Sequence, residues 1–178
     1  MVAIDHIGHG KSDGTRSHLP AFIEALELTI GEFENRGDRI EALIGHSMGG
    51  YVSLALSEKN PEMIRGLCLL NSTATSDDNS RKKLRERANK MAQINLSNIV
   101  RMSFINLFSE KSKEKFNPEM QLALSEALQT SLQGYSACQE GMKIRPNRLT
   151  VLKNNHFKKL FILGEKDPVL PEQYGVFV

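Results

Sequence analysis

The sequence predicts an α/β protein: a partial, doubly wound, mostly parallel sheet with a helical segment inserted into it. Three observations predict this. Short apolar runs alternate with helix-length patterns from Met1 to Asn71, only helical patterns run from Arg81 to about Asn155, and a further apolar run spans Lys159 to Gly164. The order strand, helix, strand, helix, strand gives parallel strands with right-handed crossovers, and such sheets carry their sites at the strands' carboxyl ends. With 178 residues, 40% hydrophobic and 25% charged, the chain suits one soluble globular domain. A net charge of +2 does not call for nucleic acid or a membrane surface. No apolar run has the length of a membrane span, and the expected partner is a small molecule.

The elements follow in order. Met1 to Asp5 reads as the end of a buried strand, and His6 to Gly14 as a loop rich in turn formers. Leu19 to Arg36 reads as a helix, with Pro20 in its first turn, Phe22, Leu26, Ile30 and Phe33 on one face, and Gly37 as its stop. Ile40 to Ile44 is a short buried strand, and a helix pattern from Tyr51 onwards is closed by Asn60-Pro61. Gly66 to Asn71 supplies another strand, and Ser72 to Ser80 a polar loop. Three helical stripes come next: Leu84, Ala88, Met91 and Ile94; Ile99, Met102, Ile105 and Phe108; and, after Asn117-Pro118, Met120, Leu124, Leu128 and Leu132, with Gly134 as the stop. The basic run from Arg81 to Arg87 reads as a solvated helix face. Met91, Met102, Met120 and Met142 suit either core filling or an adaptable pocket wall, and the sequence leaves both open. Cys68 and Cys138 stand apart without metal-ligand spacing, so a disulfide framework or a metal site is not expected and a reducing cytoplasm is the default.

Chemistry concentrates in Leu43-Ile44-Gly45-His46-Ser47-Met48-Gly49-Gly50-Tyr51. Gly-x-Ser-x-Gly between a strand and a helix is the spacing of a nucleophile elbow, where glycines let the two elements approach while the serine sits at a strained, exposed apex. A serine hydroxyl is a poor nucleophile until a base takes its proton and donors stabilise the oxyanion. Ser47 is therefore the candidate nucleophile, and the Met48 backbone N–H, at the new helix's N-terminus, is the candidate oxyanion donor. Asp167 follows the strand Lys159 to Gly164 and should share the elbow's sheet edge.

Three segments together resemble the α/β-hydrolase fold enzymes, in particular small cap-bearing esterase and lactonase-like members. They are Asp5 to Asp13, with its Gly-His-Gly-Lys-Ser-Asp; the elbow Gly45 to Gly50; and Gly164-Glu165-Lys166-Asp167-Pro168-Val169-Leu170-Pro171. The resemblance implies a core over residues 1–75, a helical cap over 76–155, and core again over 156–178. It implies Ser47 as nucleophile, the Met48 N–H as half of the oxyanion hole, Asp167 as the acid that orients a histidine, a small-molecule acyl substrate, and no cofactor.

The chain also departs from that pattern. The family's chain order is Ser, Asp, His, yet the last histidine here, His156, precedes Asp167. His46 should point away from the elbow, and His6, His9, His18 and His156 read as ordinary loop or surface residues. The second oxyanion donor has no counterpart, and His6-Ile7 stands where the family has an apolar residue and a proline. The expectation is an internal fragment of a serine hydrolase acting on a carboxylic ester or related acyl bond, without the first three strands and without the last strand and its histidine. Its strand edges would be exposed, leaving it marginally stable and nearly inactive alone. The alternative is a non-catalytic member of the fold that binds a ligand or partner. Lactone, perhydrolase and carbon–carbon bond chemistry stay open, as does the oligomeric state.

Overall fold

A computed structural model describes residues 19–38, 40–165, 167 and 170. The predicted strand of Met1 to Asp5 and the loop after it lie outside the described residues. The described chain divides into two compact units, one formed by Leu19–Asp77 with the residues from Ile144 onwards, the other by Asp78–Lys143.

The first unit is the α/β part. Helix α1 (Leu19–Asn35) buries Phe22, Leu26 and Ile30 at helical spacing and ends at Gly37, whose φ of 84° needs a residue without Cβ. Strand β1 (Leu43–His46) leads directly into helix α2 (Met48–Lys59), which is buried without interruption from Gly50 to Ser57. A helix buried on every side is the centre of a core rather than its cover. It is capped by the Asn60 N–H, which donates to the Leu56 carbonyl at 2.8 Å, and is tied to α1 by the Lys59–Glu27 pair at 2.8 Å. A single 3-10 turn (Pro61–Met63) precedes strand β2 (Gly66–Leu70), where Leu67, Cys68 and Leu69 are all buried.

Helix α7 (Leu149–Asn154) and strand β3 (Lys158–Ile162) return the chain to the sheet. The order is β1-β2-β3, both pairings are parallel, and Ile44, Cys68 and Leu160 stand in one row, as do Gly45, Leu69 and Phe161. Side chains alternate across a strand, so the row containing Gly45 faces α2. The row containing Cys68 lies on the other face, where Ile44 is 61% and Leu160 55% exposed. The predicted α/β class with a parallel sheet is what the chain adopts.

The second unit is helical: α3 (Asn79–Ile105), α4 (Glu110–Lys115), α5 (Asn117–Ala127) and α6 (Leu132–Ile144, its last residue already in the first unit). The first two stripes fall, as expected, on two successive helical segments: they meet within α3 at Asn95 (φ −155°, ψ 89°), whose side chain accepts from the Asn98 N–H at 2.9 Å and so caps the second half, while Phe108 lies just beyond the end of α3. Several helical expectations change here. Ala92 and Val100, not the predicted stripe of Leu84, Met91 and Ile94, are the buried residues of α3. Gly134 does not stop a helix; it lies in the first turn of α6, its N–H held by Ser131 Oγ at 3.0 Å. Among the methionines, Met120 is buried, whereas Met91 and Met102 are exposed.

Candidate active site

The three parallel strands end on one edge of the sheet, and each hands over there to a residue of interest: β1 to Ser47, β2 to Asn71, β3 to the loop holding Gly164 and Asp167. Ser47 has φ 50° and ψ −119°, one of two non-glycine residues with positive φ among the described residues. An L-residue pays strain for that conformation and holds it only when neighbours over-determine it. They do so here. The Ser47 N–H donates to the Leu70 carbonyl at 2.9 Å, and the Ser47 carbonyl accepts from the Gly50 N–H at 3.0 Å and from Ser72 Oγ at 2.7 Å. The Ser47 side chain is exposed and makes no capping bond to α2, so its hydroxyl is not spent on the helix.

The glycines divide their work differently from the motif's spelling. A Cβ on Gly45 would stand 2.5 Å from the Gly50 Cα and 2.8 Å from the Gly49 carbonyl oxygen. One on Gly50 would collide with Ser72 Oγ and come within 2.6 Å of its Cβ. One on Gly49 would meet nothing within 4 Å. The close approach of strand and helix rests on Gly45 and Gly50, and the second glycine of Gly-x-Ser-x-Gly is sterically free.

Met48 is the first residue of α2, so its N–H belongs to the helical turn without intrahelical acceptors and sits at the positive end of the helix dipole. Asp167 is half-buried, and its N–H closes a turn onto the Gly164 carbonyl at 3.0 Å. That turn is anchored to β2: the Gly164 N–H donates to Asn71 Oδ1 at 2.9 Å, and the Asn71 N–H donates to the Ile162 carbonyl at 2.8 Å. Ser47 and Asp167 thus stand on the same edge two strands apart, about 10 Å between strand axes. An imidazole bonded at both nitrogens spans such a gap between two side chains that reach toward each other.

Two histidines are described. His46 is the exposed last residue of β1, and His156 is exposed and precedes β3, at the opposite edge of the parallel sheet from Ser47. His6, His9 and His18 lie outside the described residues. Among the described residues no group of acids, histidines and cysteines could hold a metal, and no helix is long and apolar enough to cross a membrane. Both cysteines are free and buried, and burial pushes the Cys138 thiol up.

Sequence reasoning missed Asn71 and Ser72. Two polar residues directly after an apolar strand, at the carboxyl end where such sheets place their sites, were the available signal. It also missed a buried ion pair, Arg145 with Asp77 at 2.8 Å. Arg145 further donates from Nε to the Thr75 carbonyl at 3.2 Å and stacks on the Tyr51 ring at 4.1 Å.

The sequence model of a family described as "Serine aminopeptidase, S33" matches residues 1–173. Among curated proteins, a monoglyceride lipase from Rattus norvegicus is 30% identical over 103 residues, covering 56% of this chain and 34% of that protein. A monoacylglycerol lipase from Mycolicibacterium smegmatis is 30% identical over 82 residues, 44% of this chain and 29% of that protein. The chain therefore matches about a third of the length of these relatives. Among solved structures, an esterase from Exiguobacterium antarcticum superposes with a TM-score of 0.81 at 18% identity, covering 96% of this chain and 65% of that one. A thermophilic esterase from Thermogutta terrifontis superposes with a TM-score of 0.76 at 24% identity, covering 90% and 60%. At these identities the structural likeness speaks for the fold alone.

Proposed function

The chain belongs to the serine aminopeptidase S33 family of α/β hydrolases, and from that premise we propose that it carries the nucleophile and the acid of a serine hydrolase that cleaves a carboxylic ester or related acyl bond of a small molecule. The observation that carries this reading is Ser47 at φ 50°, ψ −119° on the N-terminus of α2, with Asp167 on the same sheet edge. The lipase and esterase names of the relatives favour acyl esters over peptides.

In this mechanism a histidine takes the Ser47 proton as Oγ bonds to the acyl carbon, and the carbonyl π electrons move onto oxygen. The Met48 N–H stabilises that oxyanion, which collapses to expel the alcohol, protonated by the imidazolium. Water then repeats the sequence on the acyl-serine, releasing the acid and restoring the hydroxyl. Asp167 holds the histidine's tautomer and stabilises its cation. The family's order places that histidine after the acid, and none of the five histidines of the 178 residues follows Asp167. We therefore nominate none of these histidines as the base and expect the 178-residue chain alone to turn over esters hardly at all.

Chemical rescue tests this. Imidazole supplied in solution should give the chain saturable hydrolysis of 4-nitrophenyl butyrate above the imidazole background, and Ser47→Ala should abolish the excess. An excess that survives in Ser47→Ala overturns the nucleophile assignment. No excess at any imidazole concentration favours a ligand-binding member of the fold.

A further inference from the structure

We propose that Asn71 and Ser72, the two residues that follow the central strand β2, are positioning residues for this site: Ser72 aims the Met48 N–H and Asn71 holds the loop that carries Asp167. The inference rests on the proposed function for its chemical meaning, while its geometry stands independently.

A peptide unit is planar. The described residues contain no cis peptide bond, so the Ser47 carbonyl and the Met48 N–H are opposite ends of one rigid trans plane. Rotating that plane moves both. Ser72 is buried, and its Oγ donates to the Ser47 carbonyl at 2.7 Å, on a carbonyl that otherwise accepts within the chain from the Gly50 N–H at 3.0 Å. A hydroxyl fixed on the carbonyl end therefore fixes the direction of the N–H at the other end. Ser72 Oγ and Cβ fill the space that a side chain on Gly50 would occupy, so the hydroxyl stands directly against the elbow.

Asn71 works in the opposite direction along the sheet edge. Its φ of 45° lies in the left-handed region, which asparagine tolerates better than most side chains. With this turn the Asn71 N–H still completes the ladder to the Ile162 carbonyl at 2.8 Å, while its own Oδ1 accepts from the Gly164 N–H at 2.9 Å. Consecutive residues thus reach to both neighbouring strands, Ser72 to the end of β1 and Asn71 to the end of β3. The spacing between nucleophile and acid is set from the strand between them.

The test uses the 178-residue chain with three variants and one control. Ser57→Ala is the control, since Ser57 is fully buried with a comparable Oγ bond to the Ser53 carbonyl at 2.8 Å but lies remote in sequence from the elbow. Fluorophosphonate labelling of Ser47 in the presence of imidazole reads the chemistry. Amide resonances and hydrogen exchange of Met48 and Gly164 read the geometry. Loss of a whole oxyanion donor costs about 100- to 1000-fold, so a misaimed one in Ser72→Ala should slow labelling about tenfold, with a shifted Met48 amide. Ser57→Ala should do neither. Asn71→Gly, which keeps the backbone conformation and loses the acceptor, should speed Gly164 exchange at least about tenfold, and Asn71→Asp, which keeps both, should restore it. A Met48 amide unmoved by Ser72→Ala, or Gly164 exchange equal in Asn71→Gly and the parent chain, overturns the inference whether or not Ser47 is labelled. Absence of labelling in the parent chain counts instead against the proposed function.

Discussion

Removing Arg145 should cost this fold more than any surface charge. Its side chain is 5% exposed and that of Asp77 is fully buried, their atoms 2.8 Å apart. The pair lies where the chain leaves the α/β unit, after Asp77, and just where it re-enters. Arg145→Met takes away that partner, the bond to the Thr75 carbonyl and the stack on Tyr51. Breaking a buried pair from one side costs about 3–5 kcal/mol, because the remaining charge stays desolvated. With a urea slope of about 2 kcal/mol/M, the unfolding midpoint should fall by about 1.5–2.5 M. Asp77→Asn with Arg145→Met removes both charges, and the double variant should regain at least half of that loss. Urea titrations of the four proteins by circular dichroism close the cycle. A single variant costing under about 1 kcal/mol, or a double variant costing the sum of the singles, refutes the buried-pair reasoning.

Three further outcomes follow from the same geometry. Gly45→Ala and Gly50→Ala should each destabilise the chain by over about 1 kcal/mol, whereas Gly49→Ala should be neutral or slightly stabilising; equal costs at all three, read by thermal melts, would contradict the steric division. Burial raises the Cys138 thiol, so its neutral form is favoured in the folded chain, and that contribution is fully present below the unfolded thiol's value and lost as pH rises through the folded one. The urea midpoint should fall in alkaline buffer more steeply for the parent chain than for Cys138→Ala, and parallel pH curves would count against it. The open sheet face with Ile44 and Leu160 should drive concentration-dependent association, which Ile44→Glu reduces in light scattering; unchanged scattering would show that the face is not the cause.

Legibility in the sequence followed the range of the interactions. β2 and β3 were readable because a continuous apolar run between turn residues is a local signal, and the elbow because its strand, serine and glycines are contiguous. The break at Asn95 was readable too, as the gap between the stripe ending at Ile94 and the one starting at Ile99; the Asn95 side chain caps the second half there. Gly134 misled because glycine near a pattern's end usually stops a helix, whereas here Ser131 captures its N–H and starts one. The buried pair of Asp77 and Arg145 joins residues on either side of an entire helical unit, so no local pattern announces it. Asn71 and Ser72 depend on strand register, which fixes what stands opposite the end of β2. The choice between Gly49 and Gly50 depends likewise on a tertiary contact with Ser72 that the motif's spelling does not contain.

As proposed, Ser47 is a preformed nucleophile that acts once an imidazole is supplied. Intact mass after fluorophosphonate exposure, with and without added imidazole, tests it on the parent chain and on Ser47→Ala. One adduct should form on the parent chain, appreciably only with imidazole, and disappear in Ser47→Ala. An adduct that forms equally fast without imidazole, or one that persists in Ser47→Ala, would contradict it.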